Sequence, residues 1–487
     1  MSALTLCSNL ETLLPELDTL VVVARAADLA GGWATRGLDA TTAGFAARLA
    51  EEARPGSGAL TSSLLPDGGA ARRLKVVALY DSVSRHLSPT GSYEVSTALK
   101  GNLGGPGTIG VIVGLREPGF ARAAIAAVAR AMPQYDRKTA DSNAPDVRVL
   151  LRTPGSDLQD AGGTLQYAAD TIRTVCRLVD MPPAELDTTR FENEARDAAK
   201  DLDHVTVTSI VGDELLTAGL RGLHAVGRTA MEPPRLVVLD YNPPEARETV
   251  ALIGKGLVYD TGGLSLKIVG DRMLTMKCDM GGAAAVLGAF LMLARGGVPL
   301  RVVAGLGMAE NAIGPNAYRP DDVIEMHSGK TVEINNTDAE GRLALADAAS
   351  YVARTYAPTT LIDAATLTGA QLIATGKGHA GIVTNRGELE RLAVEAGLQS
   401  GDHCLPMLWS PELMRPEFKS KVADMRNSVA DRMNAQSAAA GFFVWSHIED
   451  LDLDWLHIDL AGPSFIDNRA TGYGAGLIAA VVASFAE

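Results

Sequence analysis

Short, β-branched apolar runs alternate along the chain with alanine-rich amphipathic stretches, and this pattern predicts strands alternating with helices. In the first third of the chain we predict a helix at 120–132 and strands at 20–24, 74–79, 109–115 and 147–151. In the remainder we predict a hairpin at 323–334, strands at 204–210, 236–239, 250–253, 302–306, 360–364 and 453–460, and helices at 164–179, 189–200, 212–219, 283–294 and 475–485. The alternation indicates an α/β protein with a mostly parallel or mixed sheet.

The length of 487 residues exceeds what one compact core usually spans, so two domains are expected. Turn-forming residues are concentrated at 153–163 (TPGSDLQDAGG), which makes this stretch the best linker. We therefore predict a small N-terminal α/β domain at 1–155. A larger C-terminal α/β catalytic domain, with a mixed sheet flanked by helices, is predicted at 165–487.

Candidate chemistry centres on residues 335–343, Asn-Asn-Thr-Asp-Ala-Glu-Gly-Arg-Leu. In an extended backbone, Asp338, Glu340 and Arg342 would point to the same side. Two carboxylates at one point repel each other unless a cation lies between them. Gly341 permits a tight turn, and a helix is predicted directly behind it. The alternative is an ordinary acid-rich helix entry, because carboxylates favour helix N-termini.

A second polar stretch at 254–285 favours the metal site over the helix entry. It supplies Lys255, Asp260, Lys267 and Asp279, and its glycines predict a loop at 254–263 that a ligand can approach closely. The four carboxylates of the two stretches would be neutralised by two divalent cations. Lys255 could then be a ligand only as a neutral amine, which burial and adjacent cations both favour. The spacing of a Walker phosphate loop is absent.

These residues resemble the leucine aminopeptidase (cytosol aminopeptidase) family of di-metal exopeptidases. The octapeptide NTDAEGRL stands complete at 336–343, after the patterns GKG-x-x-x-D-x-GG-x-x-x-K at 254–267 and M-K-x-D-M-x-GAA at 276–284. With Tyr259 and Thr261, the motif YDTGG resembles that of a subgroup of probable aminopeptidases. The resemblance covers roughly 165–487, whereas residues 1–155 match no motif of the family.

The resemblance implies a metal-dependent aminopeptidase in which a bridging hydroxide, activated by two metal ions, attacks the first peptide bond. The ions would be zinc or manganese, with magnesium or cobalt also allowed at the more exchangeable position. The first, exchangeable position would be held by Asp260, Asp338 and Glu340. The second would be held by Lys255, Asp260, Asp279 and Glu340.

The resemblance also implies two catalytic residues and a substrate-binding set. Lys267 would stabilise the oxyanion, and Arg342 would hold a bicarbonate ion that accepts a proton. Substrates would be peptides with a free N-terminal amine, bound by Met276, Thr366, Leu367, Gly369, Ala461 and Ser464. At Ser464 many leucine-preferring members have methionine, which leaves the preferred N-terminal residue open.

Charge and composition bound the partners and the compartment. A net charge of −14 argues against a general nucleic-acid or membrane-surface binder. The start of the chain has no basic region of a signal peptide, and the uncharged runs fall short of the ~20 residues of a spanning helix. Four scattered cysteines fit a reducing compartment. We therefore expect a cytoplasmic protein, and the family resemblance implies a homohexamer.

Two other classes of function stay open at this point. One is a different di-metal hydrolase such as a phosphatase, although such sites are usually rich in histidine. The other is a non-catalytic, DNA-binding role, which the acidic charge disfavours. The sequence contains neither HExxH nor GxSxG, so a histidine-ligated zincin and a serine hydrolase are not expected.

Overall fold

A computed structural model describes residues 3–56, 59–66, 69–103, 107–139, 145–268 and 273–486. The chain divides into two compact units. The first comprises Met1–Thr174 and Ala396–His403, and the second comprises Val175–Glu395 and Cys404–Glu487. The domain limits 1–155 and 165–487 stay a prediction. The division between the two units falls within the helix Thr164–Asp180, and the segment Ala396–His403 belongs to the first unit.

The first unit is built on a mostly parallel sheet. Its strands are β1 (Ala3–Cys7), β2 (Thr19–Arg25), β3 (Leu60–Leu64), β4 (Arg73–Leu79), β5 (Thr108–Gly114) and β6 (Asp146–Arg152). Its helices are α1 (Leu10–Leu13), α2 (Ala26–Ala30), α3 (Ala40–Glu52), α4 (Ser92–Leu99) and α5 (Ala121–Arg130), followed by α6 (Thr164–Asp180), which contains the division between the units. The sheet order is β1-β6-β5-β2-β4-β3, with only the β3–β4 pair antiparallel among the described strands.

The second unit carries the candidate site. Its strands are β7 (Val205–Val211), β8 (Arg235–Tyr241), β9 (Thr249–Asp260), β10 (Arg301–Asn311), β11 (Val323–Glu325), β12 (Thr331–Glu333), β13 (Thr360–Ala365), β14 (Ala380–Thr384), β15 (Cys404–Pro406), β16 (Met425–Arg426), β17 (Asp454–Asp459), β18 (Phe465–Ile466) and β19 (Arg469–Ala470). Its helices are α7 (Thr188–Ala199), α8 (Glu214–Thr217), α9 (Arg221–Gly227), α10 (Gly281–Arg295), α11 (Gly341–Tyr356), α12 (Gly369–Ala374), α13 (Gly387–Ser400, whose end belongs to the first unit), α14 (Pro411–Met414), α15 (Gln436–Trp445) and α16 (Ala475–Ala483). Short 3-10 helices lie at Pro118–Phe120, Ala161–Gly163, Met276–Met280, Arg415–Phe418 and Ser484–Ala486.

The large sheet of the second unit is mixed, as predicted. Its order among the described strands is β15-β14-β17-β13-β9-β10-β8-β7. The four central strands β17, β13, β9 and β10 run parallel to one another, while β14 pairs antiparallel with β17 and β8 pairs antiparallel with β10. Because parallel neighbours end at the same edge of a sheet, this topology gathers the residues that follow the four central strands.

Helices cover both faces of this sheet. Ala251 and Ile253 of β9 belong to the buried core formed with α11 and α15. Gly254, one position further along, lies against α10, since a Cβ there would meet the Cα of Ala283 at 2.4 Å. Alternate residues of a strand point to opposite faces, so α10 and α11 flank the sheet from opposite sides.

Within the part of the chain that the structure describes, one helical stretch, Met276–Arg295, is long and apolar enough to cross a membrane by length and composition alone, and 83% of its most apolar window is buried inside the structure. Close packing of α10 on β9 accounts for its apolar character. We therefore treat it as a core helix of the second unit.

Candidate metal centre

Four parallel strands deliver polar residues to one edge of the large sheet. Asp260, Asn311 and Asp459 are the last residues of β9, β10 and β17, and Thr366 directly follows β13. In open α/β sheets, ligands bind outside the carboxyl ends of the strands. The neighbouring residues from the start of α10 and the start of α11 complete a buried polar cluster at this edge.

Lys255 forms the inner half of the cluster. Its Nζ lies 2.8 Å from Oδ2 of Asp279 and 2.9 Å from Oε1 of Glu340, and it donates to the carbonyl oxygen of Thr366 at 3.1 Å. All three charged groups are at least nine-tenths buried. Thr366 in turn donates from Oγ1 to Oδ1 of Asp279 at 2.7 Å, so the carboxylate is held on both sides.

Two close backbone approaches position these side chains. Gly282, in the first turn of α10, lies so near β13 that a Cβ there would meet the carbonyl oxygen of Ala364 at 2.2 Å. Gly341, the first residue of α11, lies over Lys255, because its Cβ would meet Cε of that lysine at 2.5 Å. Both contacts require glycine's lack of a side chain, and they bring Asp279 and Glu340 to the lysine.

Lys267 forms the outer half of the cluster. Its Nζ lies 2.8 Å from Oδ2 of Asp260 and 2.5 Å from Oδ1 of Asp338. Asp260 also accepts from the backbone N–H of Gly262 and from Nδ2 of Asn311, each at 2.8 Å. The side chain of Asp338 is 34% exposed, so this half of the cluster faces solvent more than the half around Lys255.

Burial and mutual repulsion govern the protonation of the cluster. Burial, with the neighbouring charge of Glu340, raises the pKa of Asp260 and of Asp279. Burial would also raise the pKa of Glu340, but the two lysines outweigh it and the pKa is lowered. For Lys255 and Lys267, burial favours the neutral amine, yet the surrounding carboxylates raise the pKa of both above the ordinary value. Here Lys255 is a charged ion-pair partner, and its neutral, metal-binding form stays a prediction.

The donor set can accommodate divalent cations. Asp260, Asp279 and Glu340 each offer a ligand atom, and these atoms lie within 4.8 Å of one another. Oε2 of Glu340 is buried and has no hydrogen-bond partner among the described residues. An unpaired buried carboxylate oxygen is costly unless a cation satisfies it. The cluster also contains four carboxyl groups but only two ammonium groups, so it has an excess of negative charge. Hard divalent cations bind to such groups of carboxylate oxygens.

Arg342 is buried near the cluster and forms no ion pair with its carboxylates among the described residues. It is 4% exposed, and Nη1 donates to the carbonyl oxygen of Asn427 at 2.9 Å, while Nε has no partner among the described residues. Burial lowers the pKa of Arg342 to about 10. The guanidinium is therefore a buried cation with unused donor capacity, suited to a small anion.

Two local predictions about the motifs were wrong. Asp338 and Glu340 do not alternate along an extended strand, because Asp338 lies in a turn and Glu340, with φ −76° and ψ −38°, already caps α11. Gly254 and Gly256 do not form a loop, because they lie inside β9. The absence of a side chain at these two glycines permits close packing on α10. Gly262 and Gly263, with φ +85° and +61°, form the turn that follows β9.

Part of the predicted substrate-binding set adjoins the inner half of the cluster, where Thr366 contacts Lys255 and Asp279. Thr366 and Ser464 meet at Gly281, whose Cβ would lie 3.2 Å from Cγ2 of Thr366 and 3.4 Å from Cβ of Ser464. The backbone N–H groups of Leu367 and Ala461 both donate to Oδ1 of Asp459, at 3.1 and 3.3 Å. Two further members of the set, Met276 and Gly369, begin the 3-10 helix and α12.

Sequence reasoning missed several supporting residues. Asn427 accepts from the backbone N–H groups of Asn335 and Asn336 through Oδ1 and donates to the carbonyl oxygens of Asn336 and Ala339 through Nδ2. It thereby fixes the loop that carries Asp338. A lone asparagine nearly 90 residues downstream gives no pattern from which this contact could be inferred.

Asp459 was missed as well. It accepts from Oγ1 of Thr368 and from Oγ of Ser437, each at 2.7 Å, in addition to the two backbone groups of the substrate-binding set. Its position at the end of a predicted strand was a usable signal, because polar residues at the carboxyl ends of parallel strands meet at one edge.

Fold and cluster together define a class: an α/β protein whose carboxylates and lysines converge at strand ends in a geometry suited to divalent cations. A family model described as "cytosol aminopeptidase family, catalytic domain" matches residues 173–481. Over 414 residues the chain is 44% identical to the mouse "Probable aminopeptidase NPEPL1", covering 83% of this chain and 78% of that protein.

Solved structures show the same relationship. The leucyl aminopeptidase from Trypanosoma brucei in complex with bestatin superposes with a TM-score of 0.91 at 35% identity, covering 99% of this chain and 95% of that one. The bottromycin maturation enzyme BotP in complex with Mn gives a TM-score of 0.77 at 28% identity, covering 96% and 100%. This chain belongs to the cytosol aminopeptidase family. It is an aminopeptidase, a hydrolase acting on peptides.

Proposed function

We propose that this aminopeptidase removes N-terminal residues with the help of two divalent metal ions held in the buried cluster. The convergence of Asp260, Asp279 and Glu340 within 4.8 Å, at the carboxyl ends of parallel strands, carries this proposal. Asp260, Asp338 and Glu340 would hold one ion, and Lys255, Asp260, Asp279 and Glu340 would hold the other. When bound, the ions would supply a Lewis acid for the substrate and a water of lowered pKa.

The two positions differ in exposure and in ligand chemistry. The position at Asp338 has only oxygen ligands and is partly exposed, so it should exchange readily among manganese, magnesium, cobalt and zinc. The position at Lys255 adds an amine and is buried, which favours zinc or a later metal. The charged state of Lys255 in the described cluster means that it must lose a proton on metal binding, and affinity there should therefore rise with pH.

Lys267 is proposed to stabilise negative charge on the substrate. Its ammonium lies at the outer edge of the cluster, with a 15% exposed side chain between Asp260 and Asp338. From there it can donate to the oxygen of the first peptide carbonyl as negative charge develops on that oxygen. In the described cluster the surrounding carboxylates raise its pKa.

Arg342 is proposed to hold a bicarbonate ion that accepts a proton during the reaction. Its buried Nε has no partner among the described residues. The described carboxylates of the cluster are all assigned to metal binding in this proposal, so a separate base is needed. A small anion paired with this guanidinium supplies one.

The N-terminal residue of the substrate would lie beside the inner half of the cluster. Its side chain would contact Met276, Thr366, Leu367, Gly369, Ala461 and Ser464. Asp459 fixes the backbone of two members of this set. Leucine preference does not follow from the pocket, because a serine stands where a methionine would narrow it. We further propose a homohexamer in the cytoplasm, with residues 1–155 as a separate domain that helps assembly.

A panel of aminoacyl amides and dipeptides tests the function directly. With Mn²⁺ at mildly alkaline pH, the protein is expected to release N-terminal residues from free-amine substrates and to leave N-acetylated controls intact. Equal cleavage of the acetylated controls would contradict the proposal, because the free amine is the group that restricts the enzyme to chain ends. The ranking within the panel measures the preference of the pocket around Ser464.

A further inference from the structure

An exposed arginine lies on the loop that joins the two sides of the site. Arg432 is exposed and forms no hydrogen bond or ion pair among the described residues. The loop begins after Asn427, whose carbonyl oxygen accepts from Arg342. It ends at α15, where Oγ of Ser437 donates to Asp459. The same carboxylate accepts from the backbone N–H groups of Leu367 and Ala461. Arg432 therefore lies on a loop whose two ends contact the proposed anion site and the support of the proposed pocket.

The loop is held in place by one acidic residue. Glu417 accepts from the backbone N–H of Ala430 through its own carbonyl oxygen, at 2.9 Å. Its carboxylate accepts from the backbone N–H of Asp431 at 3.1 Å and from Nδ2 of Asn434 at 2.9 Å. These bonds bracket Arg432 on both sides, yet none of them uses its guanidinium. The side chain is presented on a fixed loop while its charge stays uncompensated.

The loop that carries Arg432 is anchored to the site at both ends, because Asn427 contacts Arg342 and Ser437 contacts Asp459. In a dipeptide, the C-terminal carboxylate lies only about one residue, ~3.8 Å between consecutive Cα atoms, beyond the bond that is cut. In longer peptides the carboxylate recedes by ~3.3–3.6 Å with each added residue.

We propose that Arg432 is a substrate-binding residue that pairs with the C-terminal carboxylate of short peptides, above all dipeptides. This inference rests on the proposed function and names the substrate class that the site favours. A guanidinium presents several N–H donors in a planar fork that matches a carboxylate. In a protein with a net charge of −14, an unpaired arginine beside the site also gives an anionic peptide end a local attraction.

The test compares leucyl-glycine with leucyl-glycinamide, which differ only in the charge of the C-terminus. The measured quantity is the ratio of kcat/KM for the acid to kcat/KM for the amide. In Arg432→Gln this ratio is expected to fall about fivefold, mostly through a higher KM for the acid. A fivefold fall corresponds to the upper range of the free energy that an exposed ion pair contributes. Arg432→Lys should retain most of the ratio, and added salt should lower the ratio in the wild type.

Lys421→Gln is the matched control, since it removes one exposed positive charge from the same segment. Its ratio is expected to equal that of the wild type. An equal loss on acid and amide in Arg432→Gln, or an unchanged ratio, would overturn the assignment. Failure of the wild type to release leucine from either substrate would instead overturn the proposed function, and this inference with it.

Discussion

Lys255 and Lys267 lie in separate halves of one acidic cluster, and they are expected to respond differently to substitution. Lys255 is enclosed by Asp279 and Glu340 and is a proposed metal ligand. Lys267 contacts the outer carboxylates from the partly exposed side and is proposed to act on the substrate. The distinction between ligand and catalyst is therefore testable residue by residue.

Lys267→Ala is expected to lower turnover by roughly 10²-fold or more while both metal ions stay bound, because the variant loses a donor to the developing oxyanion. Turnover of leucyl amide and metal content by mass spectrometry are the two measurements. Lys377→Ala, an exposed lysine of the same unit, is the control and should change neither. If Lys267→Ala binds one ion fewer, the separation of ligand from catalyst is wrong.

Gly341→Ala is expected to impair the site while leaving the protein folded. The added Cβ would lie 2.5 Å from Cε and 2.6 Å from Nζ of Lys255, so the amine must move out of its position. Such overpacking costs about 1–3 kcal/mol, and we expect weaker metal binding together with lower activity.

Gly387→Ala is the matched control for that change. Gly387 is also the first residue of a helix, and a Cβ there meets nothing within 4 Å. Wild-type metal affinity in Gly341→Ala, measured by titration calorimetry, would contradict the account of how α11 positions Lys255.

The sequence sufficed to select the charged residues of the site but not their supports. Repeated acids and lysines within two short motifs stand out, and the structure brings Lys255, Asp260, Asp279, Asp338 and Glu340 together with Lys267. Asn427 and Asp459 are single residues whose contacts span about 90 positions. Such contacts depend on tertiary packing, which leaves no local periodicity to detect.

At the scale of elements, a buried histidine links the β11–β12 hairpin to the end of α15. Nδ1 of His447 lies 2.6 Å from Oγ of Ser328, and the ring is 1% exposed. Burial, with the nearby charge of Lys330, lowers the pKa of His447 to about 3 from an ordinary value of 6.5. The folded protein therefore binds this proton more weakly than the unfolded chain does.

This difference predicts a loss of stability on acidification. The contribution of neutral His447 is present above pH 6.5 and is lost as the pH falls toward 3. Over the first pH unit below 6.5 the free energy of unfolding should fall by about 1 kcal/mol through this group. His447→Asn should flatten that part of the profile, measured by urea unfolding, whereas His204→Asn, at an exposed position with φ +60°, should not. An unchanged slope in His447→Asn would contradict the prediction.

Strands and helices were predicted well wherever burial imposes a simple pattern. The apolar run predicted at 250–253 is the start of β9, and the predicted helix at 283–294 is most of α10. The end of β9 was missed, because Gly254, Lys255 and Gly256 have the composition of a loop. Tertiary packing on α10 and the polar cluster keep these residues in the strand.

At the scale of the whole molecule, the mixed sheet and its flanking helices agree with the predicted α/β class. The return of Ala396–His403 to the first unit could not have been predicted, since it depends on packing between segments far apart in the chain. The assembly is likewise outside the reach of a single chain's sequence pattern, and it stays a proposal.

The proposed homohexamer gives a definite expectation. Light scattering after size exclusion should report six times the chain mass of 50.9 kDa, independent of loading concentration over a wide range. A mass equal to one or two chains under conditions of full activity would contradict the proposed assembly, and it would leave the metal site unaffected.

The most direct test of the central claim is a titration of the metal-stripped protein with Mn²⁺, in which bound metal and release of leucine from leucyl-glycine are measured on the same samples. Two equivalents are expected to bind, and activity should rise with their occupancy. Asp338→Asn, which changes a carboxylate of the more exposed half, should bind one equivalent fewer and lose activity. Full activity of the stripped protein, or two equivalents bound by the variant, would contradict the assignment of the cluster as a two-metal centre.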